Sequence, residues 1–156
     1  YLTESVSAYN VSQLALKLEK LQPNILFVDG VYLMVDEISG ERNTPIALRN
    51  ITQSLKKIAQ QYNIPIVQTT QVLTSKIRGG QITADSIAFS SSFHQDSDVI
   101  LGLQPVEEDE ELRLLKVVAS RNCPPSETAI TWRWETGCFH DESEMMKCPY
   151  CSTWVI

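Results

Sequence analysis

Ile25-Leu26-Phe27-Val28-Asp29 is the stretch that decides the fold class of this 156-residue chain. Four consecutive apolar residues are typical of a strand that is buried on both faces, as the strands of a parallel sheet are. An aspartate directly after such a strand lies at the sheet edge where α/β proteins bind their ligands. The stretch therefore predicts an α/β fold and makes Asp29 a candidate metal-binding carboxylate.

Amphipathic helices are predicted on both sides of this strand. Residues 10–21 carry apolar residues at three- and four-residue spacing, and Asn10 is a suitable N-cap. Residues 45–62 repeat this spacing, with Thr44 as the N-cap and Pro45 at the first helical position. Each of these segments therefore has an apolar face that can pack against a sheet.

Further strands follow the second helix. The run Ile64-Pro65-Ile66-Val67 predicts a second buried strand, and residues 99–103 predict a third. Residues 72–97 between them are predicted to form a long connection with about one helical turn. Residues 112–119 and 128–134 alternate apolar and polar side chains, which predicts an antiparallel hairpin. The expected fold is a largely parallel sheet flanked by helices, with this hairpin at its end.

Composition restricts the function classes. The formal net charge is −6 and the isoelectric point is near 4.9, which argues against a protein that coats nucleic acid by bulk charge. No apolar run approaches the ~18 residues of a membrane helix. The chain begins at Tyr1 without a signal peptide, so we expect a fragment of a longer protein and reduced cysteines.

Two more polar residues follow predicted strands. Gln71 comes after the second strand, where its amide can contact a γ-phosphate. Arg121 comes after the strand that ends at Ala119, where a guanidinium can reach a phosphate bound to a neighbouring subunit. Taken singly, each residue also fits a simpler interpretation: a turn aspartate, a polar loop glutamine and a surface arginine.

Four segments in this order resemble the RecA-type ATPase domain of DnaB-like replicative helicases. They are Asp29-Gly-Val-Tyr-Leu-Met, residues 47–72 with the sequence Ile-Val-Gln-Thr-Thr-Gln near their end, His94-Gln-Asp-Ser-Asp-Val-Ile, and Val118-Ala-Ser-Arg-Asn-Cys-Pro. The resemblance covers about residues 10–137. It implies a RecA-like core and an ATP-dependent DNA helicase that acts in DNA replication.

The resemblance also implies a role for each candidate in ATP hydrolysis. Asp29 corresponds to the Walker B residue that holds Mg²⁺ through water. Gln71 corresponds to the γ-phosphate sensor, and Arg121 corresponds to the arginine finger that faces the next subunit. ATP and Mg²⁺ are therefore the expected cofactors.

The implied partners are single-stranded DNA and further copies of the chain. Loops 35–44 and 72–87 correspond to the two DNA-contacting loops of the family. Lys76 and Arg78 are the best phosphate contacts in the second loop, although ordinary solvated charge explains them equally well. We also expect the copies to form a homo-oligomeric ring, in particular a hexamer. Its expected location is the cytoplasm of a bacterial or phage-infected cell.

The sequence departs from the family pattern in ways that bear on activity. Ala119 stands where the family has a lysine, and Cys123 replaces a glycine. No Gly-x-x-x-x-Gly-Lys-Ser/Thr motif occurs in the chain, and the catalytic glutamate would lie upstream of Tyr1. We therefore expect the chain alone to be inactive. A RecA-type recombinase or DNA-repair ATPase, and a non-catalytic degenerate RecA fold that binds DNA or a partner, remain alternatives.

Cysteines are concentrated near the end of the chain. We expect a RecA-like core over residues 1–137 and a cysteine-rich tail over residues 138–156. The tail holds a Cys-x-His pair and a Cys-x-x-Cys pair, which together offer four zinc ligands: Cys138, His140, Cys148 and Cys151. Cys123 is an alternative to His140. Reduced cysteines without a metal are the competing interpretation.

Overall fold

The chain is described here by a computed structural model over residues 9–73, 83, 86, 90–106, 109–141, 146–147 and 154–155. It forms two compact units. Among the described residues, 9–73, 86 and 90–97 belong to the first unit, and the others belong to the second.

The first unit contains helices and a pair of short strands. In chain order its described elements are α1 (Val11–Leu21), β1 (Leu26–Val28), a 3-10 turn (Val31–Leu33), α2 (Pro45–Tyr62), β2 (Ile66–Gln68) and α3 (Ser90–Asp96). β1 and β2 pair in parallel, because α2 returns the chain to the same edge. α3 has seven residues, or about two turns, where the sequence predicts one turn.

Helices α1 and α2 begin where their capping residues predict. Asn10 Oδ1 accepts a hydrogen bond from the Gln13 amide at 2.8 Å, and the Gln13 side chain accepts one from the Asn10 amide at 3.3 Å. Thr44 Oγ1 accepts a hydrogen bond from the Ala47 amide at 3.2 Å. These bonds satisfy amides that a helix leaves unpaired in its first turn. The predicted helices are therefore confirmed.

The apolar core of the first unit lies between its helices and the 3-10 turn. α2 contributes buried residues at three- and four-residue spacing, as its sequence predicts. The buried apolar residues are Val11, Leu18, Val31, Met34, Ala47, Leu48, Ile51, Leu55, Ile58 and Phe93. Burying one such side chain contributes about 1.5–3 kcal/mol, so this cluster is the main source of stability for the unit.

The loop of residues 35–44 is organised around Asp36, whose side chain is only 3% exposed. Its carboxylate accepts hydrogen bonds from the amides of Ile38 (3.1 Å) and Ser39 (3.0 Å), from Ser39 Oγ (2.6 Å) and from Asn50 Nδ2 (2.8 Å). Burial raises the pKa of Asp36, but these hydrogen bonds outweigh it and lower the pKa to about 2. The ionised carboxylate therefore ties the loop to α2.

The second unit is built from antiparallel strands. Its described elements are β3 (Val99–Val106), β4 (Asp109–Ser120), β5 (Glu127–Arg133), β6 (Cys138–Asp141), β7 (Met146–Lys147) and β8 (Trp154–Val155). β3 to β6 form a four-stranded meander, and β7 pairs with β8. The predicted hairpin on either side of Cys123-Pro124-Pro125 is confirmed as β4 and β5.

The expectation of a largely parallel sheet is wrong for the described part of the chain. Parallel pairing there is confined to β1 and β2, and the largest sheet is antiparallel. The physical reason is the length of the connections. Only residues 107 and 108 separate β3 from β4, and so short a link allows an antiparallel neighbour alone. β6 begins at Cys138, the first residue of the predicted tail, and pairs with β5; the division of the chain at residue 137 stays a prediction.

The role of Asp36 in holding the loop of residues 35–44 can be tested through the pH dependence of stability. Its pKa lies below the 3.8 of an ordinary aspartate. The ionised group therefore stabilises the fold above about pH 4, and this stabilisation is lost as the pH falls from about 4 toward 2. We expect Asp36→Asn to cost about 1–3 kcal/mol at neutral pH, because the amide leaves donors unsatisfied. Urea unfolding of the variant should also show a smaller decline in the free energy of unfolding between pH 4 and pH 2.

Glu19→Gln is the matched control, because Glu19 is an exposed carboxylate of the same unit. It should keep the wild-type decline below pH 4. Equal declines in the wild type and in Asp36→Asn would contradict the role assigned to Asp36.

Candidate functional site

The candidate site lies where β1 and β2 end side by side. Val28 is opposite Gln68 in the parallel pair, so Asp29 comes next to Thr69. Thr69 Oγ1 donates a hydrogen bond to Asp29 Oδ1 at 2.5 Å, and both residues are exposed. The carboxylate that the sequence singles out therefore stands at the carboxyl edge of a parallel pair, where α/β folds bind ligands.

The backbone on both sides of Asp29 is also bonded to Thr69. The Thr69 amide donates to the Val28 carbonyl at 3.0 Å, and the Val31 amide donates to the Thr69 carbonyl at 3.0 Å. These two bonds enclose Asp29 between them. The path of the chain through the site is thus set by the same residue that contacts the carboxylate.

Gly30 allows a close approach of Tyr32 at this edge. A Cβ on residue 30 would lie 3.0 Å from Tyr32 Cδ1 and 3.1 Å from Tyr32 Cζ, and closer still to Cε1. The contact with Cε1 is shorter than real Cβ contacts are, so a side chain at residue 30 would require the Tyr32 ring to shift. The peptide bond between Asp29 and Gly30 is cis.

Gln71 follows Thr69 by two residues and is exposed. Gln68, at the end of β2, differs from it: its Oε1 atom is buried and accepts no hydrogen bond within the part of the chain that the structure describes. Asp29 and Gln71 therefore follow neighbouring strands of one parallel pair, as expected. The phosphate contact assigned to Gln71 stays a prediction.

Arg121 lies at the bend after β4, in the second unit. Its amide donates to the Asp98 carbonyl at 3.0 Å, and its Nε atom is 3.9 Å from Asp98 Oδ1. The bend is further held by Ser120 Oγ, which accepts hydrogen bonds from the amides of Asn122 (3.2 Å) and Cys123 (2.9 Å). The backbone that carries the guanidinium is therefore well defined.

The ion pair between Arg121 and Asp98 is weak. The two side chains are 53% and 61% exposed, and exposed ion pairs contribute about 0.2–1 kcal/mol. An arginine that stabilises a transferring phosphoryl group contributes about 10³-fold or more to the rate, which is several times this energy. Asp98 can thus orient the guanidinium without preventing it from binding a phosphate.

Cys138 and His140 are alternate residues of β6, so their side chains leave the same face of this edge strand. Both ring nitrogens of His140 are buried and have no hydrogen-bond partner in the described part of the chain. Cys138 is exposed, and its thiol donates to the Thr136 carbonyl at 3.5 Å. A buried imidazole without a partner among the described residues has nitrogen atoms that can accept a ligand contact.

Several predicted site residues lie outside the described residues. These are Lys76 and Arg78 of the second predicted DNA-contacting loop, and Cys148 and Cys151 of the predicted zinc site. The described residues alone contain no group of three or more histidine, cysteine, aspartate or glutamate side chains that could hold a metal. None of the described helices is long and apolar enough to cross a membrane.

Two residues that contact the candidate site residues are not among the site residues predicted from the sequence. Thr69 contacts Asp29, and Asp98 contacts Arg121. The sequence contains a signal for each, since Thr69 follows the second strand and Asp98 directly precedes the third. Their partners depend on strand register, which an apolar run does not reveal.

Comparison with known proteins finds similarity to solved structures. No protein-family model and no curated protein matches the chain. A solved DnaB-like replicative helicase, described with its interactions with primase, superposes on 88% of the chain with a TM-score of 0.77 and 16% identity. The chain has the fold of a DnaB-like helicase ATPase domain. The ATPase domain of G40P agrees, with a TM-score of 0.76, 16% identity and 86% of the chain covered.

The DnaB-like fold extends beyond this chain in both solved structures. The chain spans 36% of the DnaB-like helicase chain and 52% of the G40P chain. At 16% identity the likeness shows the fold, and the chemistry has to be argued from the residues themselves.

Proposed function

We propose that this chain is part of an ATP-dependent DNA helicase motor of the DnaB type, which acts in DNA replication. The observation that carries the proposal is the position of Asp29 within this fold. An exposed carboxylate, oriented by Thr69, stands at the carboxyl edge of the parallel pair. Metal-assisted phosphoryl transfer in ATPases uses a carboxylate in such a place.

The proposed roles are those that the resemblance implies for each residue. Asp29 holds Mg²⁺ through water, and bound Mg²⁺ neutralises charge that develops on the phosphate oxygens. Gln71 senses the γ-phosphate. Arg121, carried on the bend after β4, reaches the ATP of the next subunit in a homo-oligomeric ring, which we propose is a hexamer.

The chain is proposed to work within a larger ATPase domain. Its sequence has no Walker A motif to cradle the phosphates of ATP. The parallel pair also exposes apolar residues, with Phe27 67% and Val67 43% exposed, whereas parallel sheets are ordinarily covered on both faces. Both observations favour a chain that completes its ATP site and its core with further polypeptide.

The motor is proposed to move along single-stranded DNA. Its proposed location is the cytoplasm of a bacterial or phage-infected cell. Lys76 and Arg78 are the proposed phosphate contacts, because positive charge is what the DNA backbone selects. The overall charge of −6 makes a local basic loop, and not the whole surface, the source of DNA affinity.

Asp29→Asn tests the assignment of the metal-binding carboxylate. In the complete protein the variant should bind nucleotide and keep its fold, because an asparagine oxygen can still accept the Thr69 hydrogen bond. Its ATP hydrolysis should fall by about 100-fold or more, because loss of one charge from a metal site costs several kcal/mol. Steady-state phosphate release measures the effect.

Glu19→Gln, which neutralises an exposed carboxylate of α1 in the first unit, should hydrolyse ATP at the wild-type rate. Near-normal turnover by Asp29→Asn would contradict its assigned role. A complete protein without any ATPase activity would favour the alternative of a non-catalytic RecA-type fold.

Arg121→Ala tests whether the site is shared between subunits. The variant should lose turnover by about 10³-fold while each subunit still binds nucleotide. Mixing it with Asp29→Asn should restore activity, because about a quarter of the interfaces at equal ratio then combine an intact Asp29 with an intact Arg121. Arg133→Ala, another exposed arginine of the same sheet, is the control and should keep full activity. Complete inactivity of every mixture, with assembly verified, would contradict a shared site.

A structural zinc site is a second proposal, favoured by the unpartnered nitrogens of His140. Its ligands would be Cys138, His140, Cys148 and Cys151, which is a tetrahedral set that zinc favours. A structural zinc ion stabilises small sites by roughly 10 kcal/mol or more. Such a site would fasten the end of the chain to β6.

The zinc proposal predicts about one zinc per chain in protein purified without chelator, measured by elemental analysis. Cys148→Ser and His140→Ala should each release the metal. Cys123→Ser should retain it, because Cys123 is not one of the four ligands proposed here. Metal loss in Cys123→Ser with retention in His140→Ala would instead assign Cys123 as the fourth ligand. Four freely titratable thiols in the native protein would exclude the site.

A further inference from the structure

Thr69 makes three hydrogen bonds to the segment that carries Asp29. Its amide bonds the Val28 carbonyl, its carbonyl bonds the Val31 amide, and its hydroxyl bonds the Asp29 carboxylate. The two backbone bonds would form with any residue except proline at this position. The third bond needs a side-chain hydroxyl, which threonine or serine provides. It is therefore the one bond of the three that depends on the side chain at position 69.

An exposed aspartate without such a bond is free to rotate about its side-chain torsions. A metal site loses activity when its carboxylate is not held in one orientation. The carboxylate must then be ordered as the metal binds, and the entropy lost in ordering it opposes metal binding. The hydrogen bond to Asp29 Oδ1 at 2.5 Å is short, as bonds to a charged acceptor are. Thr69 therefore selects one orientation of the carboxylate.

The bond leaves the carboxylate able to bind a ligand. An ionised carboxylate has about four acceptor positions, and the Thr69 hydroxyl occupies one of them. No described residue donates a hydrogen bond to Asp29 Oδ2. Both side chains continue the alternating row that contains Phe27 and Val67, which is the exposed face of the parallel pair.

We infer that Thr69 is a positioning residue for Asp29. Its hydroxyl holds Oδ1, and this directs Oδ2 toward the water shell of a divalent cation. The inference rests on the proposed function for the identity of the cation, while the orientation of Asp29 is independent of it. Thr69 contacts the carboxylate and not the reacting atoms, so it acts on catalysis through Asp29.

The orientation can be measured on the 156-residue chain itself. Couplings between the Hα and Hβ protons of Asp29, obtained by NMR, report whether one side-chain rotamer or several are populated. The wild type should show the unaveraged couplings of a single rotamer. Thr69→Val, which has the same shape without the hydroxyl, should show averaged values, and Thr69→Ser should restore the wild-type pattern. Thr69→Ala replaces Thr69→Val if the latter does not fold.

Thr70→Val is the matched control. Thr70 is the next residue and has a hydroxyl that does not contact Asp29. Its variant should keep the wild-type couplings. Unaveraged couplings in both Thr69→Val and Thr69→Ala would overturn the inference, and so would averaged couplings in Thr69→Ser.

A second arm uses ATP hydrolysis by the complete protein. Thr69→Val should lower kcat and raise the half-saturating Mg²⁺ concentration, each by about threefold to tenfold, which is the range for one hydrogen bond. The KM for ATP at saturating Mg²⁺ should stay constant, and Thr69→Ser should recover the wild-type values. An altered KM for ATP with unchanged Mg²⁺ dependence would overturn the inference. A protein with ordered Asp29 couplings and no ATPase activity would reject the proposed function and keep the positioning role of Thr69.

Discussion

Two strands of three residues each, Leu26–Val28 and Ile66–Gln68, pair in parallel and thereby bring Asp29 beside Thr69. The candidate site depends on this pairing, because the hydroxyl–carboxylate bond exists only in this register. A shift by one residue would turn Thr69 to the opposite face of the pair. α2 maintains the register, since it connects the strands and buries its apolar face in the core of the first unit.

The two units obtain their stability in different ways. The first has a cluster of buried apolar side chains, and it also buries Asp36 at the centre of a hydrogen-bonded loop. In the described part of the second, no large apolar side chain is fully buried, and backbone ladders between β3 and β6 dominate. Val99, Leu101 and Leu103 of its edge strand β3 remain exposed. Asp29, the proposed metal-binding residue, therefore lies on the unit that has the apolar core.

The side-chain contacts of the two charged candidates differ in length, and the difference fits their proposed tasks. Asp29 must hold one orientation, and a short bond from Thr69 restrains it. In its proposed role Arg121 would exchange its contact with Asp98 for a phosphate of the neighbouring subunit, and this ion pair is long and exposed. A weak contact is readily exchanged for a phosphate, which binds a guanidinium more strongly.

The sequence by itself determined the local elements of this protein. Capping residues and apolar spacing are local properties, so Asn10, Thr44 and the stripe of α2 predicted both long helices correctly. Apolar runs followed by polar residues also placed Asp29 and Gln71 after strands. Tertiary structure decided which strands pair, because a run such as residues 99–103 fits a parallel or an antiparallel neighbour equally well. It likewise decided the partners Thr69 and Asp98, since these depend on contacts between residues far apart in the chain. The burial of Asp36 was also decided by tertiary structure, because α2 brings Asn50 to a loop that is otherwise held by local hydrogen bonds.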